Sequence, residues 1–350
     1  MSFFNYYGLK KYKHTNNKTM TKFFLLILCI LNFSVITAFG QFEKYSSFDE
    51  VVSVASDYYK KKNIDSTIVA MEYAFKNFPK EEEQASTILA YFYTKAGNFS
   101  KAIEIWKSGL EKGYFYGLND KAWEKDYNDN SDFAKLMEME KNRDNASHVE
   151  FEVVLPTNYN SKNPYPILFI FHGNTRNIEK AKKSWTSQMM NDKYISIFVQ
   201  SYAHWSSVGY YWISNDDKTK NEFKEIYDNV MSAYFINNEK IIFAGMSAGG
   251  KIVLDFAFNE FVPMSGIILN CPVVPDSIND YAIKQFIETN KRIGIITGEK
   301  DWALNNQKEL ISKIDSLEGL NKFTINKDIG HSFAENFTEL LDEYLKWVIE

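Results

Sequence analysis

From Val149 onward the chain carries seven short, continuous runs rich in Val, Ile, Leu and Phe. They are Val149–Leu155, Ile167–Phe171, Ile195–Val199, Lys240–Ala244, Gly266–Leu269, Ile293–Thr297 and Lys322–Ile325. Apolar residues at helical spacing occupy the intervals around Thr219–Phe235, Ala248–Phe258, Tyr281–Thr289, Leu304–Leu317 and Phe333–Val348. A strand that is apolar on both faces cannot front water and needs helices on each side. Regular alternation of strand and helix favours parallel pairing, since a parallel connection is long enough to hold a helix. The expected fold class over residues 147–350 is therefore α/β, a mostly parallel sheet with helices on both faces. Sheets of this kind place their chemistry at the carboxyl ends of the strands.

Four such ends carry reactive residues: Phe169-Ile170-Phe171-His172-Gly173-Asn174, Gly245-Met246-Ser247-Ala248-Gly249-Gly250, Gly298-Glu299-Lys300-Asp301 and Asp328-Ile329-Gly330-His331-Ser332. The second fits G-x-S-x-G, a sharp strand-to-helix turn that exposes a serine hydroxyl. A side chain in place of either glycine would collide with the neighbouring strand and helix. Ser247 is thus the candidate nucleophile, and the helix beginning at Ala248 points its positive end at developing negative charge. A serine hydroxyl needs a neighbouring base. Of the five histidines, His14 lies in the first 40 residues, His148 precedes the first strand and His204 sits in a long connection. His331 is the candidate base. An oxyanion formed by attack on a carbonyl needs pre-placed N–H donors. Ala248 offers one amide, and the turn after the second strand offers the other through Asn174 or Gly173.

Nucleophile, acid and histidine in that order, each after a strand, resemble the α/β-hydrolase family of the compact bacterial esterase type. The resemblance covers residues 150–350 and is carried by the four motifs above. It implies a carboxylate three residues past the glycine that ends its strand, which is Asp301; Glu299 and Asp276 remain alternatives. It also implies a structural role for His172 beside the oxyanion turn. The implied activity is hydrolysis through an acyl-enzyme, of a carboxylic ester or, in a peptidase of the same fold, of a peptide bond. Neither a metal nor an organic cofactor is implied. The aromatic connection Ser201–Trp212 supplies Trp205 and Trp212 as candidate substrate-lining residues. Arg176 is a candidate for contact with a substrate carboxylate, though a solvated role is the simpler reading. Cys271 reads as a buried strand-end thiol, not a nucleophile.

Residues 41–146 have a different texture, with helical spacing and no strand-like alternation. A shift of 34 residues aligns Tyr59 with Tyr93, Asn63 with Gly97 and Ile68 with Ala102. The stretch Ala85–Ile103 resembles a tetratricopeptide repeat, in which two helices pack per unit. Ala90, Gly97 and Ala102 would be the small residues that let helices approach, and Tyr114–Met139 a capping piece. Such a segment either binds a peptide or protein partner or forms a collar around the second domain. If it were the working part, the α/β domain would be a non-catalytic module, but an intact Ser, Asp and His in order argues for an enzyme. The polar stretch Glu140–Ser147 is the expected linker.

Residues 1–40 hold five lysines, no acid and the apolar run Phe23–Phe39, followed by Gly40-Gln41. This pattern describes a secretory signal peptide, with translation starting at Met1 or Met20. A membrane anchor is the alternative, although the run is short for a span. The expected location is secreted or periplasmic. Removing those five lysines from 40 basic residues leaves 35 against 45 acidic ones, a formal charge of −10. That charge argues against nucleic acid or an anionic membrane as the main partner. With Cys29 inside the presequence, only Cys271 remains, and no internal disulfide can form.

Overall fold

The computed structural model describes residues 40–118 and 123–350. The presequence expected over residues 1–40 lies, apart from Gly40, outside the described residues. Among the described residues, no helix is long and apolar enough to cross a membrane. The chain divides into two compact units, one ending at Trp106 and the other beginning at Lys107.

The first unit is helical: α1 (Phe48–Lys60), α2 (Ile64–Asn77), α3 (Glu82–Lys95) and the greater part of α4 (Phe99–Glu111). Side-chain caps set the first two starts. Ser47 Oγ accepts the Glu50 amide and Asn63 Oδ1 accepts the Ser66 amide, each satisfying a first-turn donor that lacks an intrahelical acceptor. Val51, Ala55, Ala70, Met71, Ala74, Leu89, Ala90 and Ala102 are buried. α1 and α3 start 34 residues apart, at Phe48 and Glu82. Gly97 does not separate packed helices: no atom lies within 4 Å of where its Cβ would stand. Its φ of +73° reverses the chain after α3, the left-handed position that favours glycine.

In the second unit the end of α4 is followed by α5 (Glu124–Tyr127) and α6 (Ser131–Ala146). Glu140–Ala146 is not a linker but the last turns of α6. Glu140 is only 2% exposed. Its carboxylate accepts the amides of Tyr116 (2.5 Å), Gly117 (3.2 Å) and Leu118 (2.6 Å). Arg143 donates to the carbonyls of Tyr114 and Leu110. Charges that look solvated in the sequence here satisfy a stretch of irregular backbone, which otherwise could not be buried.

The strands are β1 (Glu150–Val154), β2 (Tyr165–Phe171), β3 (Ile195–Gln200), β4 (His204–Ser206), β5 (Gly209–Tyr210), β6 (Ile236–Met246), β7 (Gly266–Asn270), β8 (Arg292–Gly298) and β9 (Asn321–Asn326). Seven of them form one sheet in the order β1-β3-β2-β6-β7-β8-β9. Only the β1–β3 pair is antiparallel. β4 and β5 make a separate two-stranded ribbon. The helices between strands are α7 (Ile178–Ser184), α8 (Gln188–Lys193), α9 (Asp217–Ala233), α10 (Ala248–Phe258), α11 (Asp280–Glu288), α12 (Leu304–Ser316) and α13 (Phe337–Val348).

Alternation along β2 sorts the two cores, because successive side chains leave a strand on opposite faces. Ile167, Phe169 and Phe171 join α9, α10, α11 and α12 through Phe223, Val253, Phe286 and Ile311. Leu168 and Ile170 join α7, α8 and α13 through Ala181, Met190, Leu341 and Tyr344. The sheet is therefore covered on both faces, as the continuous apolar runs require. The last helix starts at Phe337 and not at Phe333, because the Phe333 ring turns in against Trp185 and Phe337.

Candidate active site

Ser247 sits between the end of β6 and the start of α10 with φ 53° and ψ −116°. A residue with a Cβ rarely holds this conformation, and its surroundings must impose it. The surroundings are three close approaches, two of them to backbone atoms. A Cβ on Gly245 would stand 2.6 Å from the Gly249 carbonyl carbon. One on Gly249 would stand 2.3 Å from the Phe171 carbonyl oxygen, and one on Gly250 would stand 2.9 Å from Pro272 Cβ. The Ser247 amide also donates to the Asn270 carbonyl at 3.1 Å, tying the turn to the end of β7. The helix thus begins hard against the ends of β2 and β7, and the hydroxyl is lifted above the sheet.

The acid and histidine loops meet through another glycine. A Cβ on Gly298 would lie 2.2 Å from the Ile329 carbonyl oxygen. The Lys300 amide donates to that same oxygen at 2.8 Å. This contact brings Asp301 under His331, whose Nδ1 lies 2.8 Å from Asp301 Oδ1. His331 Nε2 lies 2.8 Å from Ser247 Oγ. The carboxylate can only accept from Nδ1–H, which leaves Nε2 free to accept the serine proton.

The Asp301 side chain is fully buried and receives four hydrogen bonds. His331 and the Ala303 amide donate to Oδ1; Thr297 Oγ1 (2.9 Å) and Gln307 Nε2 (3.1 Å) donate to Oδ2. Burial by itself would raise its pKa. The Ala303 amide, His331, Gln307 and Thr297 outweigh that effect and hold the carboxyl below its usual range. Glu299 does not take this place: its carboxylate accepts the Asp328 amide at the surface. Asp276 lines a separate cavity of about 230 Å³ with Ile283 and Leu310.

The turn after β2 lies beside the serine. A Cβ on Gly173 would be 3.6 Å from Ser247 Cβ. His172 is buried and uses both ring nitrogens on main chain: Nε2 accepts the Ser201 amide (3.1 Å) and Nδ1 donates to the Gly173 carbonyl (2.8 Å). Burial, with the nearby Arg176 charge adding to it, lowers its pKa to about 4, so it stays neutral. Trp212, expected to line the substrate, does not. It is 5% exposed, packs on Phe171 and His172, and donates Nε1–H to the His172 carbonyl at 2.7 Å. An indole N–H must find an acceptor when buried, and here that acceptor fixes the turn. Asn174 is exposed, and its Oδ1 accepts the Trp212 amide at 3.1 Å. Its main-chain N–H, with those of Gly173 and Ala248, remains the candidate donor set. Ala248 opens its helix, so its amide has no intrahelical acceptor.

Trp205 is 58% exposed on the β4–β5 ribbon. Another exposed indole was not apparent from the sequence: Trp302, 69% exposed, with its ring centroid 5.0 Å from that of His331. Its position next to Asp301 is the one signal that could have marked it. Thr297 and Gln307 carry no sequence signal, since only the packing of α12 on the end of β8 brings them to the carboxylate. Cys271 is fully buried, and burial above all pushes its thiol up to about 12. Cys271, Asp301 and His331 offer a thiol, a carboxylate and an imidazole within 4.8 Å of one another. A metal would need the thiolate, which this environment disfavours, and the other two groups are bonded to each other.

The mostly parallel seven-stranded sheet carries its serine turn after β6, its acid after β8 and its histidine after β9. The fold is that of an α/β-hydrolase. No family model and no curated protein matches the chain. Solved structures resemble this hydrolase fold at a distance. An uncharacterized protein from Bacillus cereus is 20% identical, with TM-score 0.48 over 87% of this chain and 99% of that one. An S-formylglutathione hydrolase from Staphylococcus aureus is 17% identical, with TM-score 0.45 over 57% of this chain and 92% of that one. A feruloyl esterase module from Clostridium thermocellum is 15% identical, with TM-score 0.46 over 58% of this chain and 88% of that one. Likenesses this remote carry no argument about chemistry, which rests on the residues themselves.

Proposed function

We propose that the chain is a secreted or periplasmic serine hydrolase that cleaves carboxylic esters. The observation that supports it is the continuous line from Asp301 through His331 to Ser247 Oγ, with both links at 2.8 Å. In this reading Ser247 Oγ attacks the ester carbonyl carbon while His331 Nε2 takes its proton. Asp301 holds the ring by Nδ1 and balances the charge that the imidazolium acquires. The tetrahedral oxyanion lies between the Ala248 amide and an amide of the Gly173–Asn174 turn. Collapse expels the alcohol, which leaves with the proton from His331. Water then repeats the sequence on the acyl-enzyme and restores Ser247.

Labelling the folded protein with a fluorophosphonate probe, followed by peptide mapping, tests the assignment directly. Modification of Ser247 is expected, and Ser247→Ala is expected to lose both label and turnover of 4-nitrophenyl acetate while keeping its fold. An unlabelled Ser247, or unchanged turnover in Ser247→Ala, overturns it. Turnover of a dipeptide 4-nitroanilide in preference to the ester would move the assignment to a peptidase. Sequencing the mature N-terminus checks secretion, with cleavage near Gly40 as the expected result. The 34-residue spacing of α1 and α3 supports a tetratricopeptide-like reading of the helical segment.

A further inference from the structure

Arg176 stands in the turn next to Ser247, and its environment is not that of a solvated surface cation. Its amide donates to the Gly173 carbonyl (3.2 Å), and its carbonyl accepts the Tyr210 amide (2.9 Å), so its backbone is held from both sides. Its guanidinium lies over the Phe333 ring, 5.7 Å from the centroid, and Nη1 reaches Ser184 Oγ at 3.4 Å. Phe333 is two residues from His331. The side chain therefore spans from the oxyanion turn to the histidine loop, the two segments that flank Ser247. Among the described residues no carboxylate lies within ion-pair distance of it. Glu179, three residues on, pairs with Lys182 at 3.6 Å, and Glu152 does the same at 2.6 Å. A guanidinium is a planar fork of N–H donors that can meet a carboxylate in two parallel hydrogen bonds, and an aromatic ring beside it holds it without using up those donors.

We propose that Arg176 is a specificity-determining residue that binds a carboxylate carried by the ester substrate, on its acyl or its alcohol side. This rests on the reading of Ser247 as the nucleophile. The preferred substrates are then esters of dicarboxylic acids or of hydroxy acids. A substrate bearing its charge elsewhere, or none, leaves the guanidinium without its partner.

Two pairs of probes test this. On the acyl side, mono-4-nitrophenyl succinate is compared with neutral 4-nitrophenyl butyrate; on the alcohol side, 4-acetoxybenzoate is compared with its methyl ester. In one pair, wild type is expected to favour the anion in kcat/KM by about 10- to 100-fold, the range for hydrogen bonds to a charged partner. Arg176→Gln is expected to bring that ratio to near one, and Arg176→Lys to leave it intermediate. Should Arg176→Gln not fold, the wild-type ratio itself serves, and it is expected to shrink as salt is raised to roughly 0.5 M. Equal rates within both pairs, or an anion preference that survives in Arg176→Gln, overturns the proposal. If neutral esters turn over and Ser247 is labelled, that failure is confined to Arg176. If Ser247 takes no label and no ester is cleaved, the serine hydrolase reading itself has failed.

Discussion

One carboxylate oxygen of Asp144, near the end of α6, takes both the main-chain N–H of His204 (3.1 Å) and its ring Nδ1 (3.0 Å). The imidazole is also stacked flat on Phe115, 4.0 Å between centroids and 5° between planes. His204 opens the β4–β5 ribbon, and the ribbon holds the turn after β2: Tyr210 exchanges main-chain bonds with Thr175 and Arg176. Lys218 fastens the same junction by donating to the carbonyls of Asp144, Asn145 and Ser147. The end of α6 is thus linked, bond by bond, to the turn beside Ser247.

Replacing Asp144 by Ala leaves the His204 amide and ring without their acceptor. A destabilisation of about 1–3 kcal/mol is expected in urea unfolding. Because the ribbon frames the turn, kcat for 4-nitrophenyl acetate is also expected to fall while KM changes less. A double-mutant cycle with His204→Ala checks the cause. A coupling of about 0.5–3 kcal/mol marks a direct interaction, and simple additivity would refute it.

Asp301→Asn keeps the shape of the carboxylate but offers an N–H where His331 Nδ1–H needs an acceptor. The imidazole then turns to the wrong tautomer and can no longer accept from Ser247. Loss of about 10⁴ in kcat is expected, with little change in the melting temperature. Steady-state kinetics on a short aryl ester measures it, and a loss below tenfold would remove Asp301 from its proposed role.

Two glycines beside reactive residues are expected to respond in opposite ways. Gly249→Ala puts a methyl 2.3 Å from the Phe171 carbonyl oxygen, a backbone atom that cannot turn aside. Soluble yield should drop sharply, or stability fall by about 1–3 kcal/mol or more, with activity lost. Gly330→Ala meets no atom within 4 Å, although it adjoins His331. It should fold as wild type, which thermal melts of the two variants side by side will reveal.

Stability should depend on pH through His172. Its pKa of about 4 in the fold lies below the ordinary 6.5. Between these values the unfolded chain binds the proton and the folded chain does not, so stability rises with pH there. The contribution is complete above about pH 6.5 and is lost as pH falls towards 4, by an amount on the order of 3 kcal/mol. Urea midpoints across that window measure the slope. His172→Gln should flatten it while lowering stability throughout.

Several features were legible without coordinates because they are local. The seven apolar runs of the second half coincide with the seven strands of the large sheet to within a few residues, since burial on both faces leaves no alternating pattern to confuse them. Gly245 and Gly249 were readable around Ser247 because a strained turn between strand and helix admits few residues. Glu140 shows where such reading fails. In sequence it belongs to a charged run and looks solvated, yet in the fold it is buried and caps three amides from residues 116–118. Trp212 fails in the same way: an aromatic in a connection suggests a substrate wall, but its partner is a carbonyl 40 residues away.

By itself, then, the sequence determined the fold class and the candidates Ser247 and His331, while Asp301 stood out from Glu299 and Asp276 only through the family resemblance. Burial pattern, glycine spacing and order along the chain are properties of short segments. Tertiary structure alone decided that Thr297 and Gln307 hold Asp301, that Trp212 clamps the His172 carbonyl, and that Arg176 rests on Phe333. Each of these depends on which strand ends become neighbours. Neighbours across a parallel sheet are set by crossovers dozens of residues long, so no local pattern in the chain records them.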